Sequence, residues 1–215
     1  MVGVNSTQQN LTQPAPSAQS AAQMSFAEYL LLPHTEERCE FVDGRIVKMI
    51  EPTLLHIRII KHLTALFDQY FKDQQLDFEC YGGPGVQVPR TNPPANQQDR
   101  VRDPDLIVAT RARWQKVASQ TKAVFLQGNM PNLVVEVCSP STVGVDLGDK
   151  VTEYASAGIQ EYWIVNPLAD YVRVYQLVGD VYQMVCECKN DDLIVSPTLK
   201  RLSLTANAAY FSMDA

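Results

Sequence analysis

An α/β fold, a mixed β-sheet covered by helices, is what the order of periodic segments predicts. Three observations carry that expectation. Residues 54–72 put Ile59, Ile60, Leu63, Leu66, Phe67 and Tyr70 on one helical stripe, while Arg58, Lys61, His62, Asp68 and Lys72 face away. Apolar runs of strand length stand at 105–109, 132–138 and 161–165. A second helical pattern, at about 146–157, separates the last two and ends at Gly158, a C′ glycine.

The remaining elements follow in order. Residues 1–23 are mostly Gln, Ser, Ala, Asn, Thr and Pro, which cannot bury enough surface to offset ordering entropy, so they read as a disordered low-complexity tail. The folded domain is expected over 24–215. Ser25 and Glu28 form a capping box that opens a short helix stopping before Pro33. Asp43-Gly44 joins Cys39–Val42 to Arg45–Met49 in a hairpin. Phe78 to Val88 reads as one strand bent at Gly82-Gly83-Pro84-Gly85, and 89–100 as a polar, proline-bearing loop. Tyr171–Leu177 and Val181–Glu187 pair around Gly179-Asp180. Leu193–Phe211 is expected to be a strand with a terminal helical turn.

Composition bounds the function. The chain has 215 residues, 46% hydrophobic and 20% charged, which suits one domain. No apolar stretch reaches the ~18 residues of a membrane span and no signal sequence is evident, so a cytoplasmic protein without membrane contact is expected. Cys39, Cys80, Cys138, Cys186 and Cys188 are scattered, odd in number and without a Cys-x-x-Cys pair. Reduced structural thiols fit better than zinc or disulfides. The net charge of −6 runs against a nucleic-acid partner, since phosphate binding usually leaves a basic footprint.

Two carboxylates nevertheless stand out. Pro104 lacks an N–H for a sheet ladder, so a strand begins near Asp105 and presents that side chain at a sheet end. Glu136 lies among Val134, Val135 and Val137, where burial of a charge is costly without a compensating cation or proton. At ~5 Å the two would repel by about 3 kcal/mol at an effective dielectric of 20. A hard divalent cation removes that conflict, and oxygen ligands suit magnesium. A turn-capping Asp and a half-exposed, ion-paired Glu are the plainer alternatives. Lys150 flanks the stripe Leu147, Val151, Tyr154 and Gly158, from which it reaches over the sheet end or simply snorkels to water. His56 shares the stripe of Ile59 and Leu63 and looks toward the sheet, as a catalyst or a core histidine. Glu40 sits on the first hairpin, where a surface charge is the ordinary role.

Taken in order, Cys39-Glu40-Phe41-Val42-Asp43-Gly44-Arg45-Ile46, His56, Asp103-Pro104-Asp105, Val135-Glu136-Val137-Cys138-Ser139-Pro140-Ser141-Thr142, Lys150, Tyr154, Gly158 and Glu161-Tyr162-Trp163-Ile164-Val165 resemble the Uma family of restriction endonucleases, within the PD-(D/E)XK nuclease superfamily. The resemblance spans about residues 24–205. It implies a restriction-endonuclease-like core with extra N-terminal and C-terminal hairpins. It also implies that Asp105 and Glu136 hold Mg2+ (or Mn2+), helped by the backbone carbonyl of Val137, with Glu40 completing the shell. The superfamily's lysine two residues after the glutamate is Cys138 here, and Lys150 supplies the amine instead.

The expected function is a magnesium-dependent endonuclease that hydrolyses DNA phosphodiester bonds with metal-activated water. Arg100, Arg102, Arg111, Arg113, Lys116 and Lys122 cluster in sequence around Asp105, either as a phosphate track or as a solvated surface. Double-strand cleavage calls for two centres, hence a homodimer, with the 171–187 hairpin as its contact. The competing expectation is a catalytically inactive module on the same fold that binds nucleic acid or protein.

Overall fold

The computed structural model describes residues 23–33, 35, 37–89 and 99–210. The expected tail at 1–22, the heart of the expected loop at 90–98, and Phe211 lie outside the described residues. In chain order the elements are α1 (Phe26–Leu31), β1 (Cys39–Val42), β2 (Arg45–Lys48), α2 (Leu54–Asp73), β3 (Phe78–Tyr81), β4 (Gly85–Val88), β5 (Arg100–Arg102) and β6 (Leu106–Thr110). They continue with α3 (Arg111–Ala118), β7 (Val124–Phe125), β8 (Leu133–Val137), α4 (Val143–Asp146), α5 (Asp149–Ala157), β9 (Glu161–Asn166), β10 (Tyr171–Val178), β11 (Val181–Cys188) and α6 (Ala206–Ala209).

The strands form two mixed sheets. One runs β2-β1-β5-β4-β7 and the other β11-β10-β9-β8-β6-β3. Within the larger sheet β8 and β9 are parallel, joined over the top by α4 and α5, while the other neighbours are antiparallel. Alternation along β8 divides the core in two. Leu133, Val135 and Val137 pack against Ile59, Leu63 and Phe67 of α2. Val134 and Cys138 turn to the opposite face, with Tyr154 and Ala157 of α5 and with Val86 and Val88 of the smaller sheet. A third cluster places Tyr29 and Phe41 on the outer side of the smaller sheet. The chain therefore has the expected α/β architecture, with the hairpins β1–β2 and β10–β11 at its two ends.

Local chemistry explains the elements. Ser25 and Glu28 make the capping box of α1 reciprocally. Asp43 and Gly44 both adopt positive φ, 53° and 75°, as a two-residue hairpin turn with right-handed strand twist requires. Thr53 caps α2 through His56 N, and His56, Ile59, Leu63, Phe67 and Phe71 are its buried stripe.

Three expectations fail. Phe78–Val88 is not one bent strand but two, β3 and β4, in different sheets. The chain changes sheet at Gly82-Gly83-Pro84, and β5 passes to β6 at Asp103-Pro104-Asp105 in the same way. The two corners touch: a Cβ on Gly82 would stand 2.6 Å from the Asp105 carbonyl oxygen, so only glycine fits there. The helix expected at 146–157 is two helices, broken at Leu147-Gly148. Leu193–Phe211 contains no strand among its described residues, only a bridge between Leu193 and Thr205 and the short α6.

That last segment is held by side chains instead. Glu161, fully buried on β9, accepts hydrogen bonds from Trp163 Nε1 (2.5 Å), Ser196 Oγ (2.7 Å) and Thr198 N (2.6 Å). Glu161→Ala would strand two buried donors and one partly buried one, and a loss of about 3 kcal/mol is expected. Thermal melting should read this as a fall of roughly 6–12 °C. A shift equivalent to less than about 1 kcal/mol would remove the clamp from the account.

Candidate active site

The register of β6 against β8 pairs Leu106 with Val135, which brings Asp105, the residue just before β6, beside Glu136 and Val137. Asp105 is tied to the neighbouring strand by its own carboxylate, whose Oδ2 accepts from Val137 N at 2.8 Å. The two acids that the sequence singles out are therefore brought together.

Lys150 arrives from α5. Its Nζ lies 2.9 Å from Glu136 Oε1 and 2.8 Å from Asp146 Oδ1, four residues earlier at the end of α4. With Lys150 only 3% exposed and Glu136 2%, this is a buried charge cluster, not a snorkelling surface lysine. The break at Leu147-Gly148 explains the difference. It resets the helical phase, so Lys150, Tyr154, Ala155 and Ala157 are the buried positions of α5, and Lys150 is in the stripe rather than beside it. Tyr154 OH donates to Glu136 Oε1 at 2.6 Å. Glu136 Oε2 has no hydrogen-bond partner among the described residues.

On the other acid, Arg38 Nη1 donates to Asp105 Oδ1 at 2.8 Å, and its Nε and Nη2 reach Asp103 Oδ2 and the Asp103 carbonyl. His56 Nε2 lies 3.0 Å from the same Asp105 oxygen, while its buried Nδ1 has no partner. Sequence reasoning missed Arg38, which stands in a charged stretch with no periodic signal. It also missed Asp146, although the i, i+4 spacing to Lys150 is an ion-pair signature.

The electrostatics separate the two acids. Burial raises the pKa of Asp105, but hydrogen bonding and charge from His56 and Arg38, with the Val137 N–H, outweigh it, and the net shift is downward. Complete burial pushes Glu136 up to about 8; Asp146 and Asp105 add to the rise and Lys150 and Tyr154 oppose it. Burial pulls the Lys150 pKa down, yet Glu136 and Asp146 outweigh it and hold the value above the ordinary one. Burial likewise pushes Asp103 up to about 6 against the pull of Arg38.

Two of the expected site residues fare differently. Glu40 does not line the pocket: Arg102 Nη1 takes its Oε2 at 2.6 Å, and Arg102 and Arg100 also bind Glu153 of α5. That network braces the helix carrying Lys150. Val137 contributes its N–H to Asp105, as above.

Asp105, Glu136, Lys150 and His56 open onto a pocket of about 230 Å³ walled by residues 49–53 on one side and 139–142 on the other. The second wall is a hydroxyl cluster, with Ser139 Oγ 3.0 Å from Ser141 Oγ and 3.1 Å from Thr142 Oγ1. Among the described residues no three His, Cys, Asp or Glu side chains are grouped as a metal cage, which does not suit zinc. Magnesium asks less, commonly one or two carboxylates with waters filling its shell. Four buried carboxylates, Asp103, Asp105, Glu136 and Asp146, face two cations, Arg38 and Lys150.

Two mixed sheets flanked by helices make up the α/β fold. A family model described as "Putative restriction endonuclease" matches residues 26–207, and the chain belongs to that family, Uma2. A crystal structure described as "a putative nuclease belonging to DUF820", from Anabaena variabilis, superposes with a TM-score of 0.66 at 19% identity, covering 87% of this chain and 97% of that one. At that identity the likeness establishes the fold. No curated protein matches the chain. Among the described residues, no helix is long and apolar enough to cross a membrane.

Proposed function

We propose that this protein is a magnesium-dependent endonuclease acting on DNA phosphodiester bonds. The observation that carries the reading is that two buried acids, Asp105 and Glu136, line one pocket together with Lys150. Asp105, Glu136 and the carbonyl of Val137 would hold magnesium or manganese, which when bound supplies Lewis acidity and a nucleophile at neutral pH. The chain's own groups do the positioning. Arg38, His56 and the Val137 N–H fix Asp105, and Tyr154 fixes Glu136. Lys150 carries the positive charge beside Glu136 that offsets charge developing on a phosphate. The arginine network of Glu40 and Glu153 holds α5 in place for that lysine.

The test is cleavage of circular DNA, double-stranded and single-stranded, with magnesium and with chelator. Magnesium-dependent cutting by the parent, lost in Asp105→Ala with folding checked by circular dichroism, is expected. Cutting that survives chelation or the substitution, or none on either circle, would refute the reading.

One observation favours a second reading, the non-catalytic binding module: Lys150 is fully engaged by Glu136 and Asp146. Calorimetric titration separates the two. Millimolar magnesium should bind the parent and not Asp105→Ala if the site is a metal centre.

A further inference from the structure

We infer that the strand taken by this site is unpaired DNA rather than intact duplex, an inference that rests on the nuclease reading above. A protein that tracks a duplex needs free cations along its surface. Most of the basic residues around Asp105 are instead held by acids or buried. Arg100 and Arg102 bind Glu153 and Glu40, and Arg38 binds Asp103 and Asp105. Arg111 pairs with Asp77 and Glu79 at the surface, Lys122 is buried over the Tyr29 ring, 4.7 Å from its centroid, and Lys116 stays exposed.

The pocket's shape points the same way. The carboxylates lie beneath two walls, in a space of about 230 Å³, below the ~300–1,000 Å³ of a typical ligand cleft. A phosphate reaches them only if its neighbouring sugars and bases follow it between the walls. Paired, stacked nucleotides cannot do that, whereas an unpaired strand can bend and turn its bases outward. What it would meet is suitable. One wall carries the Ser139, Ser141 and Thr142 hydroxyls for sugar and phosphate oxygens. The other is apolar at Met49, Ile50 and Pro52, with Ile50 74% exposed and Leu54 of α2 65% exposed close by in sequence. Bare apolar surface at the mouth of a polar site is a place for base faces to rest, whatever the base. An unpaired strand also needs only one centre per cut, which removes the sequence's reason for expecting a homodimer.

Fluorescence anisotropy tests this with the full chain and calcium in place of magnesium. The probes are a labelled oligodeoxynucleotide free of self-complementarity and the same strand annealed to its complement. The single strand should bind at least about tenfold more tightly. Ile50→Ser should weaken that binding about fivefold and leave duplex binding unchanged. Equal or tighter duplex binding, no binding of the single strand, or an Ile50→Ser variant indistinguishable from the parent would overturn it. Strand preference without any cleavage would sink the nuclease reading and leave this one standing.

Discussion

Glu136→Gln should fold at least as well as the parent near pH 8 while losing DNA cleavage by roughly 10³-fold. The amide is isosteric. Its oxygen can accept from Lys150 and Tyr154 as Oε1 does, and its NH2 takes the place of Oε2, which has no hydrogen-bond partner among the described residues. What it cannot do is carry the negative charge that a divalent ion needs. The pH dependence has a definite sign. Burial raises the folded-state pKa of Glu136 from 4.5 to about 8. A raised carboxyl pKa favours the folded state when protonated, so this contribution is full below about 4.5 and is lost as pH rises through about 8. Glutamine does not titrate. The parent's melting temperature should therefore fall relative to that of Glu136→Gln across this window. Parallel melting curves would show a carboxylate ionised throughout, and parental cleavage by the variant would remove Glu136 from the metal site.

Lys150→Met is expected to cost about 3–5 kcal/mol of stability, because it leaves Glu136 and Asp146 buried without their shared cation. For a domain of this size that is a fall in melting temperature of roughly 10 °C. Cleavage should vanish with it, so stability and activity must be separated. Adding Glu136→Gln and Asp146→Asn to Lys150→Met removes the orphaned charges and should restore most of the lost stability, while cleavage stays absent. A loss below about 1 kcal/mol in the single variant would mean that water reaches the cluster and screens it.

Much of this was legible in the residues. The Asp43-Gly44 turn and the stripe of α2 are local signals and stand where expected, and the acid among valines is buried. Asp105 and Glu136 could be read because a charge inside an apolar strand demands an explanation. Other features depend on contacts between distant segments. The alternation of Phe78–Val88 runs on through Gly82-Gly83-Pro84, so nothing local says that the chain changes sheet there. The need for Gly82 comes from the Asp105 carbonyl, far along the sequence. Lys150 was placed beside its stripe because one helix was assumed across Leu147-Gly148. Arg38 has no periodic context, and only folding brings it to Asp103 and Asp105. Leu193–Leu204 carries strand-like residues, but Glu161 draws its backbone N–H and hydroxyl groups into a clamp that a sheet ladder would not allow.

The crossing of β5 into β6 has a mechanical consequence. Asp103 and Asp105 belong to the hinge between the two sheets, whereas Glu136 rides wholly on the larger one. Any shear of one sheet past the other works against the Val137 N–H bond that ties Asp105 to the strand of Glu136. If the pair holds a metal, mutations deep in the inter-sheet packing, far from the pocket, should tune its affinity.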